Sequence, residues 1–96
     1  MRSRYIVTYD ICDPKRLRKV YKAMRNFGDH LQYSVFRCDL SDMEKISMIG
    51  VLDDIINHAE DQVLIIHVGP AEGRGGRCVE AVGRPYTERQ RHAIVV

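Results

Sequence analysis

The sequence contains no tryptophan and no long apolar run. A membrane-spanning helix needs roughly 18–20 consecutive apolar residues, and no stretch approaches that length. The amino-terminal segment MRSRYIVTYD reaches a carboxylate before the apolar core of a signal peptide could form. The absence of a membrane-spanning run and of a signal peptide predicts a protein with no membrane association that stays in the cytoplasm.

Cysteine and histidine are too scattered to indicate a zinc or redox motif. Cys12, Cys38 and Cys78 are odd in number and lie too far apart for a CxxC pair. The four histidines, at positions 30, 58, 67 and 92, lack the spacing that places two imidazoles on one helical face. We therefore expect free thiols and no structural zinc site.

The composition that remains is typical of one soluble globular domain. The 96 residues are 45% hydrophobic and 29% charged. We expect a single domain over residues 1–96, because two halves of this length would each lack a workable core. A chain this short buries only about 60–65% of its unfolded surface, so dimerisation is expected to stabilise it.

The net charge of +2 conceals an uneven distribution of charged residues along the chain. Residues 1–37 hold nine Lys/Arg against three Asp/Glu, whereas residues 38–72 hold one against eight. Residues 73–96 are basic again, with five against two. This pattern indicates a basic surface suited to phosphate. The alternative is that the opposite charges pair within or between subunits.

The first forty residues predict a strand, a basic helix and a second strand. Residues 4–10 alternate with apolar side chains on both faces, which is typical of an interior strand. Asp13 and Pro14 are an N-cap and a first-turn proline, and Gly28 ends the helix that follows. Residues 31–40 are strand-like again. The helix carries basic residues on its outer faces: Lys15, Arg16, Arg18, Lys19, Lys22 and Arg25.

The acidic middle of the chain predicts a second helix and a further strand. Ser41 and Glu44 have the spacing of a capping box. The expected buried stripe of this helix is formed by Ile46, Ile49, Leu52, Ile55 and Ile56. Residues 62–69 contain the apolar run VLIIHV, which is typical of a central strand covered on both sides, and residues 70–77 are a predicted loop.

This order of elements favours an α+β sandwich with both helices on one face of the sheet. A ferredoxin-like split βαβ fold requires a fourth strand. Because residues 41–61 are helical, the periodicity places that strand in residues 78–82 and leaves the order of strands open.

Residues 4–40 resemble the small CRISPR-associated nuclease family that partners the integrase in spacer acquisition. The resemblance is carried by a strand ending in Tyr9, Asp10 and Ile11, a basic first helix, Gly28 and the stretch QYSVFRC at residues 32–38. VLIIHVG and VEAVGRP resemble the later strands and tail, whereas the Gly/Arg-rich loop at residues 73–77 departs from the family pattern. The resemblance implies a ferredoxin-like βαββαβ core and a homodimer. It also implies a C-terminal extension, residues 78–96, that adds a strand across the dimer.

Asp10 is the principal candidate for catalysis. A buried carboxylate must be paired, hydrogen-bonded or metal-bound, and Asp10 ends a strand that is expected to be buried. From position alone, it could instead cap the loop through the amides of Cys12 and Asp13. The resemblance implies that Asp10 binds Mg²⁺, which two copies in a dimer could share. It also implies that Tyr9, Ser34, Phe36 and Arg37 lie near the metal or the nucleic acid.

Those four positions also have structural interpretations. Tyr9 and Phe36 could pack in the core, Ser34 could form a cross-strand hydrogen bond, and Arg37 could form a surface ion pair. Ser34 and Phe36 are predicted on one side of the second strand and Arg37 on the other, so that they cannot all face one substrate without a bulge.

Nucleic-acid binding is predicted for two basic clusters. The first is on the first helix: Lys15, Arg16, Arg18 and Lys19. The second is Arg74 and Arg77 in the GRGGR loop, which lacks the P-loop pattern and is otherwise a flexible connection.

Three function classes follow from these residues. The first is a Mg²⁺-dependent endonuclease acting on RNA or DNA, and the second is a non-catalytic dimeric adaptor that bridges integrase subunits. The third is a small-molecule regulator with the same fold, which only the fold class favours.

Overall fold

The computed structural model describes residues 1–72 and 79–86. Its elements are β1 (Ser3–Asp10), α1 (Pro14–Met24), β2 (Asp29–Gln32), β3 (Val35–Leu40), α2 (Asp42–Ile55) and β4 (Gln62–Pro70). The strands form a four-stranded antiparallel sheet in the order β2-β3-β1-β4. The predicted ferredoxin-like βαββαβ fold is therefore confirmed. Among the described residues, no helix is long and apolar enough to cross a membrane.

The core lies between one face of the sheet and the two helices, as the sequence predicts. Tyr5, Val7 and Tyr9 alternate along β1 toward the helices, and β1 is an interior strand. The same apolar cluster contains these buried residues from β3 and the helices: Phe36, Cys38, Leu40, Val20, Met24, Met48 and Leu52. We call the other side of the sheet the open face; in β1 it carries Ile6, Thr8 and Asp10.

The predicted single strand over residues 31–40 is wrong, because a turn divides it into β2 and β3. Tyr33 adopts a positive φ of 44°, which an extended strand does not allow. The Tyr9 amide donates to the Ser34 carbonyl at 3.1 Å, so that this turn is joined to the end of β1. The hairpin supplies the fourth strand. The prediction of that strand in residues 78–82 is also wrong as far as it can be compared, because residues 79–82 form none.

Two predictions of burial are wrong as well. β4 is an edge strand of the sheet, and Leu64 and Ile66 are 48% and 49% exposed. In α2, Met48 and Leu52 are buried, whereas Ile46 and Ile49 are exposed. Apolar residues surround this helix on several sides, so that their spacing alone does not identify the packed face. Part of the predicted extension, at position 78 and residues 87–96, lies outside the described residues, and its pairing across a dimer stays a prediction.

Gly28 brings the end of α1 against β3, and we expect its replacement by alanine to destabilise the fold. An added Cβ would lie within 3.0 Å of the Arg37 carbonyl oxygen and the Cys38 Sγ. Because backbone must shift to relieve this contact, the free energy of unfolding should fall by about 1–3 kcal/mol. Urea denaturation followed by circular dichroism measures the change.

Gly50 provides the matched control. It lies inside α2, and an added Cβ would have no atom within 4 Å. Gly50→Ala should therefore raise the free energy of unfolding by about 0.5–1 kcal/mol, since alanine favours the helix. Equal effects of the two substitutions would contradict the close approach at Gly28.

Candidate active site

Asp10 is the last residue of β1 and pairs with Gln62, the first residue of β4. The side chain is exposed on the open face, whereas its neighbour Tyr9 is buried on the helix face. The expectation that Asp10 is buried is therefore wrong, because the strand leaves the core at this residue. Within residues 1–72 and 79–86, the structure gives its carboxylate no hydrogen bond and no ion pair.

The loop after Asp10 is held by other carboxylates. The Cys12 amide donates to Asp61 Oδ1 at 2.9 Å, and Asp13 caps α1 by accepting from the Arg16 amide at 2.9 Å. The structure therefore does not show the cap that Asp10 could have provided. Its oxygens remain accessible to an external ligand.

The chemistry of Asp10 fits one ligand of a hard divalent cation, but not a complete site. Mg²⁺ prefers carboxylate oxygen and retains several waters. In the described part of the chain, no three His, Cys, Asp or Glu side chains form a metal-binding group. Further ligands would therefore come from outside these described residues, for example from a second copy of the chain, from phosphate oxygens or from water.

Tyr9 and Phe36 lie together on the helix face, opposite Asp10. Their ring centroids are 6.2 Å apart, and Phe36 also contacts the rings of Tyr21 and His30. Burial raises the pKa of the Tyr9 phenol, and the neighbouring Tyr21 raises it further. The structure shows core packing for both residues and separates them from Asp10 by the thickness of the sheet.

Ser34 and Arg37 occupy different positions along the sheet. Ser34 lies in the hairpin turn, and its carbonyl binds the amide of the residue before Asp10. Arg37 is 3% exposed, forms an ion pair with Asp29 and lies 3.4 Å from the Tyr86 hydroxyl. It pairs with Ile6, about 13 Å along the strand from Asp10 at the usual rise per residue. The turn and Asp10 therefore share one end of the sheet, whereas Arg37 lies away from it.

The predicted basic cluster on α1 divides into one engaged residue and several exposed ones. Arg16 Nε lies 2.8 Å from Asp61 Oδ2, and Arg16 Nη2 lies 3.2 Å from Glu60 Oε1. The Asp61 hydrogen bond raises the pKa of Arg16. The other predicted members are exposed and have no ion pair with any residue the structure describes: Lys15, Arg18 and Lys19. Arg74 and Arg77 lie outside the described residues.

A groove that the sequence pattern does not indicate lies between α1 and the hairpin turn. Its volume is about 550 Å³. We call it the α1–turn groove. The predicted site residues Tyr9, Ser34 and Arg18 all line it. The other lining residues are Leu17, Tyr21, Lys22, Arg25 and Tyr33. Tyr21 has the spacing of a core residue and Tyr33 that of a strand residue, so that the sequence pattern gave no signal for either.

Comparisons with known proteins agree with this fold. The family model described as CRISPR associated protein Cas2 matches residues 1–73. The CRISPR-associated endoribonuclease Cas2 of Geobacter sulfurreducens is 42% identical over 96 residues, covering 100% of both chains. The CRISPR-associated endoribonuclease Cas2 1 of Rhodospirillum rubrum is 39% identical, over 96% of this chain and 89% of its own length.

A solved structure gives the same result. The crystal structure of Streptococcus pyogenes Cas2 at pH 6.5 superposes with a TM-score of 0.73 at 32% identity, covering 83% of this chain and 99% of that one. The matched region contains the β1–α1 segment, the hairpin and the sheet described above. The chain therefore belongs to the Cas2 family of CRISPR-associated proteins.

Proposed function

We propose that this chain is a CRISPR-associated, Mg²⁺-dependent endonuclease that hydrolyses phosphodiester bonds in RNA or DNA. The observation that carries the proposal is the exposed Asp10 carboxylate, which has no partner among the described residues and ends the interior strand β1. The two relatives are named endoribonucleases, and these names support RNA as a substrate.

Asp10 would supply a carboxylate ligand to the Mg²⁺ ion. A bound ion would supply Lewis-acid polarisation of the phosphodiester and activation of water as the nucleophile. The chain itself positions Asp10 through the β1–β4 pairing and holds the following loop through Asp61. The exposed cations of α1 neutralise phosphate and retain the substrate.

A homodimer would complete this arrangement. The open face exposes Leu64 and Ile66 beside the partly buried Ile6, and β4 is an edge strand. A second copy on this face would cover apolar surface and supply a second Asp10. A dimer would thus add a carboxylate ligand beyond the single one that the described residues of one chain present at this position.

An adaptor role in spacer acquisition is the second candidate function. The exposed cations of α1 favour it, because phosphate binding requires no catalysis. A dimer of this chain would then bridge two integrase subunits and hold the DNA for insertion. The two functions are compatible within one protein.

Cleavage by the purified chain tests the nuclease proposal. End-labelled RNA and DNA of the same sequence, single-stranded and duplex, are incubated with Mg²⁺ or with EDTA. We expect cleavage of at least one substrate that depends on Mg²⁺ and stops in EDTA. Cleavage that continues in EDTA, or no cleavage of any of the four substrates, would contradict the proposal.

The exposed cations of α1 should dominate the salt dependence of nucleic-acid binding. Replacing Lys15, Arg18 and Lys19 with glutamine should weaken binding to single strands and duplex alike. The slope of log K against log salt should fall in magnitude by about 2–3, at roughly 0.7–0.9 for each phosphate contact. Fluorescence anisotropy across a salt series measures this slope.

Arg2→Gln is the control for the loss of one positive charge away from α1. Arg2 is a partly exposed cation that binds Glu44 at the opposite end of β1 from Asp10. Its replacement should leave the slope unchanged. Arg2→Gln removes one charge and the triple variant removes three, so a reduction one third as large would show that net charge, rather than the α1 surface, determines binding.

A further inference from the structure

Tyr33 is an exposed aromatic residue in a strained turn. It is 88% exposed, and its φ of 44° lies in the left-handed region that glycine and asparagine adopt most readily. No other non-glycine residue in the described ranges has a positive φ. The exposed Tyr33 ring gains little stabilisation from packing against the described residues. Residues that keep an unfavourable backbone conformation without such packing often bind ligands.

The surrounding residues hold the turn in this conformation. A ring nitrogen of His30, Nε2, lies 2.6 Å from the Tyr33 carbonyl oxygen, and the His30 ring packs on Tyr21 and Phe36. On the other side, the Ser34 carbonyl accepts the Tyr9 amide. The turn is therefore joined to the core at two points, and Tyr33 is presented on a fixed backbone.

The α1–turn groove places cations opposite this aromatic side chain. Tyr33 lines the groove together with Arg18, Lys22 and Arg25, none of which forms an ion pair with another described residue. The Arg25 guanidinium lies 6.0 Å from the Tyr21 ring centroid, so that a second aromatic ring and a cation line the same space. A volume of about 550 Å³ lies within the range of pockets that hold small organic molecules.

We propose that the α1–turn groove binds a nucleotide of a single strand, with its base stacked on Tyr33 and its phosphates bound by Arg18 and Lys22. This inference rests on the proposed function, because it assumes that the chain binds nucleic acid. Single-stranded nucleic acid exposes base faces that can stack on aromatic side chains, whereas a duplex keeps its bases stacked on one another. The groove thus selects unpaired segments at the end of the sheet that carries Asp10.

Tryptophan fluorescence provides a direct test, because the chain contains no tryptophan. The Tyr33→Trp variant carries one indole, which a stacked base should quench. We expect quenching by a twelve-residue oligouridylate, and little quenching by an abasic oligodeoxyribose phosphate of the same length. Equal signals from the two probes, or none from either, would overturn the stacking proposal.

Binding affinity provides the second test. Tyr33→Ala should weaken binding of the oligouridylate by about 5- to 140-fold at fixed salt, the range expected for loss of one stacking contact. Tyr33→Phe should bind like the original protein, since it keeps the ring. Affinity for a duplex should be unaffected, and the salt slope should stay the same because the phosphate contacts remain.

The outcomes distinguish this proposal from the others. Unchanged single-strand affinity in Tyr33→Ala would overturn it. If the sedimentation of Tyr33→Ala also changes while the affinity does not, Tyr33 is assigned to a contact between copies of the chain. The same measurements in an Asp10→Asn background should show normal quenching without cleavage. If the original protein binds oligouridylate but cleaves nothing, the nuclease proposal fails while the stacking result stands.

Discussion

Replacing Asp10 with asparagine should abolish Mg²⁺-dependent cleavage while leaving the fold and the dimer intact. Asparagine keeps the size and one acceptor oxygen, but it removes the charge that a hard divalent cation requires. Because the Asp10 side chain is exposed and binds nothing in the described part of the chain, thermal stability should not change. We expect the cleavage rate to fall by about 100-fold or more, to the level measured in EDTA.

Asp54→Asn is the control for this substitution. Asp54 is an exposed carboxylate on α2, and its neutralisation changes the net charge by the same amount. It should cleave like the original protein. Normal cleavage by Asp10→Asn would refute the metal-ligand proposal, because an uncharged amide would then suffice.

The Asp10→Asn variant also distinguishes the nuclease function from the adaptor function. In the proposed adaptor role, bridging of integrase subunits would depend on the dimer surface and on the exposed cations of α1 rather than on hydrolysis. We therefore expect Asp10→Asn to support integration of new spacers while failing to cleave. Loss of integration together with cleavage, in a variant that remains a stable dimer, would show that hydrolysis or the bound metal is needed for acquisition.

The parts of the fold that could be predicted from the sequence are those encoded by neighbouring residues. Asp13 and Pro14 determine the start of α1, and both contacts of the Ser41–Glu44 capping box are present at α2. The hairpin could not be predicted in this way because its turn has tyrosine at the left-handed position rather than glycine or asparagine. The β4 run VLIIHV gave a misleading signal because the open face is itself partly apolar.

The candidate site was only partly predictable because its residues are positioned by long-range contacts rather than by neighbouring residues. Asp10 follows an apolar strand, and the sequence pattern does not show that the strand leaves the core there. The pairing of Arg16 with Asp61 joins residues 45 positions apart, and no local spacing indicates it. Long-range contacts of this kind depend on the β1–β4 register, which only the three-dimensional structure provides.

Replacing Asp61 with asparagine should cause a large loss of stability. The Asp61 side chain is fully buried and accepts hydrogen bonds from the amides of Cys12 and Asn57 and from the Arg16 guanidinium. It thereby joins the loop after β1, the first turn of α1 and the segment before β4. Removal of the charge leaves Arg16 without its main partner, and the amide NH₂ group that replaces one oxygen opposes a donor. We expect Tm to fall by about 10 °C or more in a domain of this size.

Glu60→Gln is the matched control for the ion pair. Glu60 also contacts Arg16, but its side chain is 58% exposed, and exposed ion pairs contribute little to stability. Its replacement should change Tm only slightly at the same protein concentration. If the two substitutions have similar effects, the stabilising element is the overall charge around Arg16 rather than the buried carboxylate.

The pH dependence of stability provides an independent test of the Asp61 interaction. Hydrogen bonds from Arg16 lower the pKa of Asp61, burial opposes them, and the amides of Asn57 and Cys12 lower it further. A carboxyl whose pKa is depressed in the folded state stabilises fully above its unfolded pKa of about 3.9, and this contribution is lost as the pH falls below that value. The difference in Tm between the original protein and Asp61→Asn should therefore be constant near neutral pH and should narrow below about pH 4. Because both proteins share every other titrating group, the difference between their Tm values isolates Asp61. A Tm difference that persists undiminished to about pH 2 would mean that packing, not charge, determines the effect.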